Sequence, residues 1–278
     1  MLGPFLIILL IFQYWPLAIL ARDSTYRYSL LNPDQRTFVG VDNFVDVFTN
    51  PASTQSLIVT LIFMAGVVVL VVPIALVLAV YLNGKLPARP LVRVLVFLPV
   101  VTSTVVVSTM WSFMLGDKGL INSVTNLVGL PPVSFLADVH FALPAIIVMT
   151  VWQEVGLAMV LFLGGLQSIP PDLYEAAEVD GAGPLRRLWS ITIPLLSRST
   201  LVTVVVVTVF ALQAFAPAYL MTSGAPQGTT NLVIYQIYKT AFEFQNPGYA
   251  SALSIVVLVF AIVVSLIQMR LLRSRWNY

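Results

Sequence analysis

Apolar runs long enough to cross a bilayer recur six times along this chain, and that recurrence limits its fold more than any single motif does. A spanning helix needs roughly 20 mainly apolar residues to cross about 30 Å of hydrocarbon, where no water is present to satisfy backbone groups. Residues 2–21, 57–82, 94–115, 141–166, 199–221 and 250–272 each meet that length. With 59% hydrophobic residues, 9% charged residues and a mean hydropathy of +0.94, the 278-residue chain lacks the polar cover that a soluble core of this size requires. The expectation is therefore an all-α, polytopic membrane protein with six transmembrane helices, forming a single domain over residues 1–278 in membrane lipid.

The charged residues speak to topology. A net charge of +2, with Lys and Arg scattered through short connections, offers no nucleic-acid surface. One side of the expected bundle holds Lys85, Arg89, Arg93, Arg186, Arg187, Arg198, Arg270, Arg273 and Arg275, nine in all, against five on the other: Arg22, Arg27, Arg36, Lys118 and Lys239. Positive residues in short loops stay cytoplasmic, so both termini are expected there. The first apolar run starts almost at Met1 without a basic leader or a small-residue cleavage site, and reads as a retained helix.

Several chemistries are excluded. The absence of Cys removes disulfides, thiolate metal sites and a thiol nucleophile, and a lone His140 makes no histidine cluster. No Gly-Lys-Ser/Thr phosphate loop is present, so the chain does not hydrolyse ATP and carries no cofactor of its own. No internal repeat is visible, and Pro16, Pro73, Pro99 and Pro217 fall inside the expected spans, where each removes a backbone donor and favours a kink.

The connection at residues 168–197, on the basic side, carries the most information. Pro170 and Pro171 suit the first turn of a helix, and Asp172 and Glu175 place negative charge near its positive end. Gly181 and Gly183 can stop that helix and Pro184 can begin another. Leu173, Ala176, Ala177 and Asp180 recur at helical spacing, giving a small-residue face beside acids that permits close approach by another protein.

Glu175-Ala176-Ala177, Asp180-Gly181-Ala182 and Ile193-Pro194-Leu195 resemble the EAA loop of binding-protein-dependent ABC import permeases. The approach Phe162 to Pro170 resembles that of carbohydrate-uptake permeases of the maltose and glycerol-3-phosphate type. Supporting stretches run from Phe38 to Phe44, Leu220 to Thr230 and Ile237 to Phe242, the first and last pointing to a first-subunit permease that pairs with a different second one. The resemblance implies a type I importer permease in a bacterial or archaeal cell membrane, with two cytoplasmic ATPase subunits that bind ATP and Mg2+. It also implies an extracytoplasmic solute-binding protein that delivers a small hydrophilic substrate. Glu175, Ala176, Ala177, Asp180, Gly181 and Gly183 would then form a coupling helix and its turn, docked in an ATPase groove.

Candidate substrate contacts come from polar groups within the spans, which are costly in lipid unless they face a cavity or a neighbouring helix. Glu154 lies mid-span after Trp152 and Gln153, and with Gln213 these residues offer an acid, amides and an aromatic face for a hydroxyl-rich solute. Hydrogen bonding between helices is the alternative for Gln153 and Gln213. Related permeases often carry an acid after the Phe aligned with Phe215, where this chain has Ala216. Ser103, Thr104, Ser108 and Thr109 read mainly as structural hydroxyls. An ion-coupled carrier would need several charged relays within the spans, and a membrane enzyme would need a convergent catalytic cluster. The solute is expected to be a sugar or related polyol, with a phosphorylated polyol or another small solute as alternatives.

Overall fold

The structure, a computed structural model, describes residues 3–84 and 89–271. Leu2, Lys85, Leu272, Arg273 and Arg275, which enter the spans and the charge count above, lie outside the described residues. In chain order the helices are α1 (Gly3–Asp23), α2 (Asp42–Thr49), α3 (Pro51–Asn83), α4 (Arg89–Val101), α5 (Thr104–Leu115) and α6 (Leu120–Leu127). They continue with α7 (Ala142–Gln167), α8 (Pro171–Val179), α9 (Pro184–Leu195), α10 (Ser197–Leu212), α11 (Val233–Tyr238) and α12 (Pro247–Leu271). Among the described residues α1, α3, α7 and α12 are each long and apolar enough to cross a membrane. Two further pairs pass that test together but are sharply bent, α4 with the run Thr104–Leu127 by 98° and α9 with α10 by 67°.

Helix breaks correct two expected spans. Residues 94–115 are not one helix: α4, with Pro99 inside it, ends at Val101. The amide of Thr102 closes on the carbonyl of Pro99 at 3.2 Å, and Ser103 is extended before α5 begins. Residues 199–221 likewise fail as one helix, because α10 stops at Leu212 and Pro217 cannot donate to the turn before it. The chain resumes as a π-helical turn, Ala218–Thr222. Further π-turns at Leu10–Tyr14 and Leu188–Thr192 lie just before Pro16 and Pro194. An extra residue in the turn moves a carbonyl away from the proline ring while keeping the chain helical.

The all-α expectation needs one amendment. A hairpin of β1 (Tyr26–Ser29) and β2 (Asn32–Phe38) joins α1 to α2, paired Tyr26 to Phe38 and Arg27 to Thr37. Tyr, Thr and Phe suit a pleated surface, and the Tyr26 and Phe38 rings meet edge to face at 5.4 Å. These short polar strands lie between the long apolar runs. Asn43 fixes the hairpin to the bundle by donating to the carbonyls of Ser24 and Tyr26 at 2.8 and 2.9 Å.

The core lies where α3 crosses α7. Val59, Phe63, Val67, Val71, Ala75 and Ala79 recur every fourth residue on α3, forming one buried ridge. They pack in one cluster with Ile146, Met149, Ala158, Met159 and Phe162 of α7. Elsewhere α3 exposes Val69 and Val77, so it is apolar all round, as expected of a helix with lipid on one side and protein on the other. A second cluster of Val47, Val233, Tyr249, Ala252, Leu253 and Val257 ties α2 and α11 to α12. There the Ser53 and Tyr249 hydroxyls bond at 2.6 Å, and Thr60 accepts from the amide of Val233 at 2.8 Å.

Candidate functional site

The segment after α7 folds as a helical elbow. Helix α8 runs Pro171–Val179 with Asp172 in its first turn, where a carboxylate meets the positive end of the helix dipole. Its C-terminus closes in a Schellman motif: the amide of Ala182 bonds the carbonyl of Ala177 at 2.8 Å, and that of Gly181 bonds Glu178 at 3.0 Å. Gly181 sits at φ +74°, a conformation that a side chain disfavours, so glycine is needed at this turn. Gly183 is extended at φ −66° and precedes Pro184, the first residue of α9. It ends no helix.

Two side-chain links fasten α8 onto α9. The hydroxyls of Tyr174 and Thr192 bond at 3.0 Å, and Arg187 pairs with Glu178 at 3.1 Å. Tyr174 and Glu178 are four residues apart and so share the face turned toward α9. The small-residue face is therefore divided: Ala177 is half-buried beside Tyr174, while Leu173, Glu175, Ala176 and Asp180 are exposed. Val179 at 89%, Leu185 at 73% and Trp189 at 68% exposure add an apolar surface next to those acids. Sequence reasoning missed Tyr174, Glu178, Arg187 and Thr192. Their signal was the four-residue spacing of Tyr174 and Glu178, away from the exposed acids.

Within the spans the proposed contacts do not converge on one face. Trp152, Gln153 and Glu154 are consecutive in α7 and so point about 100° apart. Trp152 leans on Trp111, with ring centroids 5.9 Å apart. Gln153 is buried and donates to the carbonyl of Thr102 and the hydroxyl of Thr104, both at 3.1 Å, filling the break between α4 and α5. Glu154 is half-buried, and among the described residues no donor bonds its carboxylate. Gln213 caps α10 and is exposed. Thr109 bonds back to the carbonyl of Val105, while the Ser108 hydroxyl is buried without a partner among the described residues.

Long apolar helices, two sharply bent helix pairs and a helical elbow after α7 together make a polytopic membrane protein. The chain belongs to the family described as binding-protein-dependent transport system inner membrane component, whose pattern matches residues 41–277. Among curated relatives, the probable ABC transporter permease protein YurN of Bacillus subtilis (strain 168) is 32% identical, covering 96% of this chain and 93% of its own. The trehalose/maltose transport system permease protein MalF of Thermococcus litoralis is 33% identical, covering 95% and 89%. A solved structure, a bacterial alginate ABC transporter in complex with an alginate pentasaccharide-bound periplasmic protein, matches with a TM-score of 0.86 and 25% identity, covering 99% of this chain and 94% of its counterpart. The family is one of transport components, so this chain is a membrane transport subunit and not an enzyme, and the ion-coupled carrier reading falls with it.

Proposed function

We propose that the chain is a permease subunit of an ATP-driven importer, forming part of the path for a sugar or related polyol. Its residues 1–278 make one membrane domain of six spans, with both termini and the elbow in the cytoplasm. The observation that carries this reading is the elbow itself. Its inner face is bolted to α9, while its outer face presents acids and uncovered apolar side chains in the manner of a docking surface. Glu175, Ala176, Asp180 and the Gly181 turn meet an ATPase subunit, and Ala177 and Gly183 hold the turn in shape. A pair of such ATPases binds ATP and Mg2+, and its closure tilts α7 and α10 through the elbow. A second permease subunit completes the bundle, and a solute-binding protein delivers cargo from outside.

The substrate class draws on the relatives, one described for trehalose and maltose and one solved with an alginate oligosaccharide on its periplasmic protein. Glu154 and Gln213 are the side chains proposed to meet the solute, with Gln153 shaping the path by holding the break in place and Trp152, on the other side of α7 from Glu154, packed on Trp111. Reconstitution with the ATPase pair, the second permease and the binding protein tests the assignment. ATP hydrolysis stimulated by loaded binding protein is expected, and Glu175→Ala or Gly181→Pro should abolish that stimulation while the protein still inserts. Wild-type coupling in both variants would remove the elbow from the mechanism.

A further inference from the structure

Helix α4 opens with two arginines one turn apart, Arg89 and Arg93, and neither pairs with an acid among the described residues. Arg93 donates from Nη2 to the carbonyl of Leu82 at 3.0 Å, near the end of α3. Its Nε, and the Nε and Nη2 of Arg89, are buried with no acceptor among the described residues. The neighbouring helices offer no counter-charge. Helix α3 contains no Asp or Glu, and α7 contains only Glu154. Gln153 meets Thr102, and Gly156 lies against Val96, Phe97 and Val100, so α7 runs antiparallel to α4 and Glu154 is level with the far end of α4. The same register sets Arg89 and Arg93 toward the end of α7 that leads into the elbow.

A role in topology accounts for these charges but not for their burial. Arginines that only keep a loop in the cytoplasm act fully hydrated, with the guanidinium reaching out to water. Here three N–H groups are shut away from water and left unpaired, which is costly for a charged side chain. Their place in the helix adds to that cost, because positive charge in the first turns opposes the helix dipole. An anion seated on the two guanidinium groups relieves both.

The surface beside the arginines tells which anion fits. Leu91, Val94, Leu95, Leu98 and Val101 recur at helical spacing on α4, each more than half exposed. An open apolar stripe therefore starts two residues after Arg89 and runs the length of the helix. Phosphate oxygens accept the planar arginine fork two bonds at a time, and acyl chains cover a stripe of this kind. Free phosphate would satisfy the arginines and leave the stripe bare. We propose that Arg89 and Arg93 bind the phosphate of an anionic phospholipid in the cytoplasmic leaflet, with its acyl chains along Leu91, Val94, Leu95 and Leu98. Basic residues at the cytoplasmic ends of membrane helices suit such headgroups. The choice of leaflet rests on the topology proposed above, whereas the binding itself involves neither import nor a sugar.

The transporter, purified with its partner subunits, is placed in nanodiscs that hold photoactivatable phosphatidylglycerol and phosphatidylcholine in equal amounts. Phosphatidylglycerol should crosslink to α4 in excess, and Arg89→Gln should reduce that excess about fivefold, the worth of one arginine near an anionic headgroup. Arg89→Lys keeps the charge needed for insertion but loses the fork, and should retain only part of the excess. Arg186→Gln removes an exposed charge on the same side and should change nothing, which separates a seated headgroup from general surface attraction. Added inorganic phosphate should not displace the lipid. Equal crosslinking of both lipids in the wild type, or equal losses in Arg89→Gln and Arg186→Gln, would overturn the site. Displacement by phosphate would overturn the lipid as its occupant, and crosslinks found only on the second permease subunit would hand the stripe to that chain. Failure of the import reading leaves this measurement untouched, because no solute enters it.

Discussion

Gly156 shows how tightly single residues are placed. A methyl group there would run into the carbonyl of Val96, Val100 Cγ2 at 2.9 Å and the Phe97 Cα at 3.1 Å, all on α4. Backbone cannot step aside as a flexible side chain can, so Gly156→Ala should cost about 1–3 kcal/mol and lower the Tm in detergent. Gly164, on the same helix with nothing within 4 Å of its would-be Cβ, is the control. Gly164→Ala should be neutral or stabilising by up to about 1 kcal/mol, the helix-propensity difference. Equal effects at the two positions would mean that α4 does not lie against α7 as described. At the hairpin, Tyr28 donates to Asp23 at 2.7 Å under the Arg36 guanidinium. Burial, then the Asp23 carboxylate, push its phenol from 10.0 up to about 12. The fold holds the protonated form more tightly, so this contribution is complete below about pH 10 and is lost as pH rises toward about 12. Protection of the hairpin from proteolysis should fall across that window in the wild type, and Tyr28→Phe should flatten the dependence.

At the scale of elements, the elbow and the broken spans share a design in which a proline stops a helix and side chains from elsewhere make good the freed groups. Gln153 does this for the break after Pro99 by donating to the carbonyl of Thr102, and at the π-turn before Pro194 the Thr192 hydroxyl, bonded to Tyr174, donates to the carbonyl of Arg187 at 3.4 Å. The Tyr174 to Thr192 bond fastens α8 to α9, and on the proposed coupling role it would govern how motion of the elbow reaches α10. A double-mutant cycle of Tyr174→Phe and Thr192→Val should give a coupling energy of about 1 kcal/mol in stability. Either single variant should raise the ATP hydrolysed per solute imported without preventing assembly. Stoichiometry unchanged in both variants would show that this bond carries no motion.

Over the whole molecule, the proposed topology makes a sharp demand on a chain without cysteine. Asp180→Cys, on the exposed side of the elbow, should react with an impermeant thiol reagent only after cells are permeabilised. Gln35→Cys, in the exposed strand β2, should react from outside in intact cells. The reverse pattern would invert the bundle and place the elbow beyond reach of any ATPase. Helix α1 poses a different question, since none of its apolar stretch is buried against the rest of the described chain. On the proposed reading, lipid and the second permease subunit would cover it.

Apolar length and glycine and proline placement determined most of the architecture without reference to contacts. The runs at 57–82 and 141–166 match α3 and α7 to within a few residues at most ends, because a spanning helix must satisfy its own backbone and the sequence shows where that is possible. The Gly181 turn was legible for the same local reason, a residue type matched to a backbone angle. Hydropathy could not reveal that residues 94–115 and 199–221 break, because Pro73 sits within an unbroken helix while Pro99 stands two residues before a sharp bend. At the second of these, Gln153 of α7 donates to the carbonyl of Thr102 in the opened turn, a partner that no local pattern shows. Nor could spacing along the chain divide Ala176 from Ala177 across the elbow. That division follows from where α9 packs, and only the tertiary structure decides that.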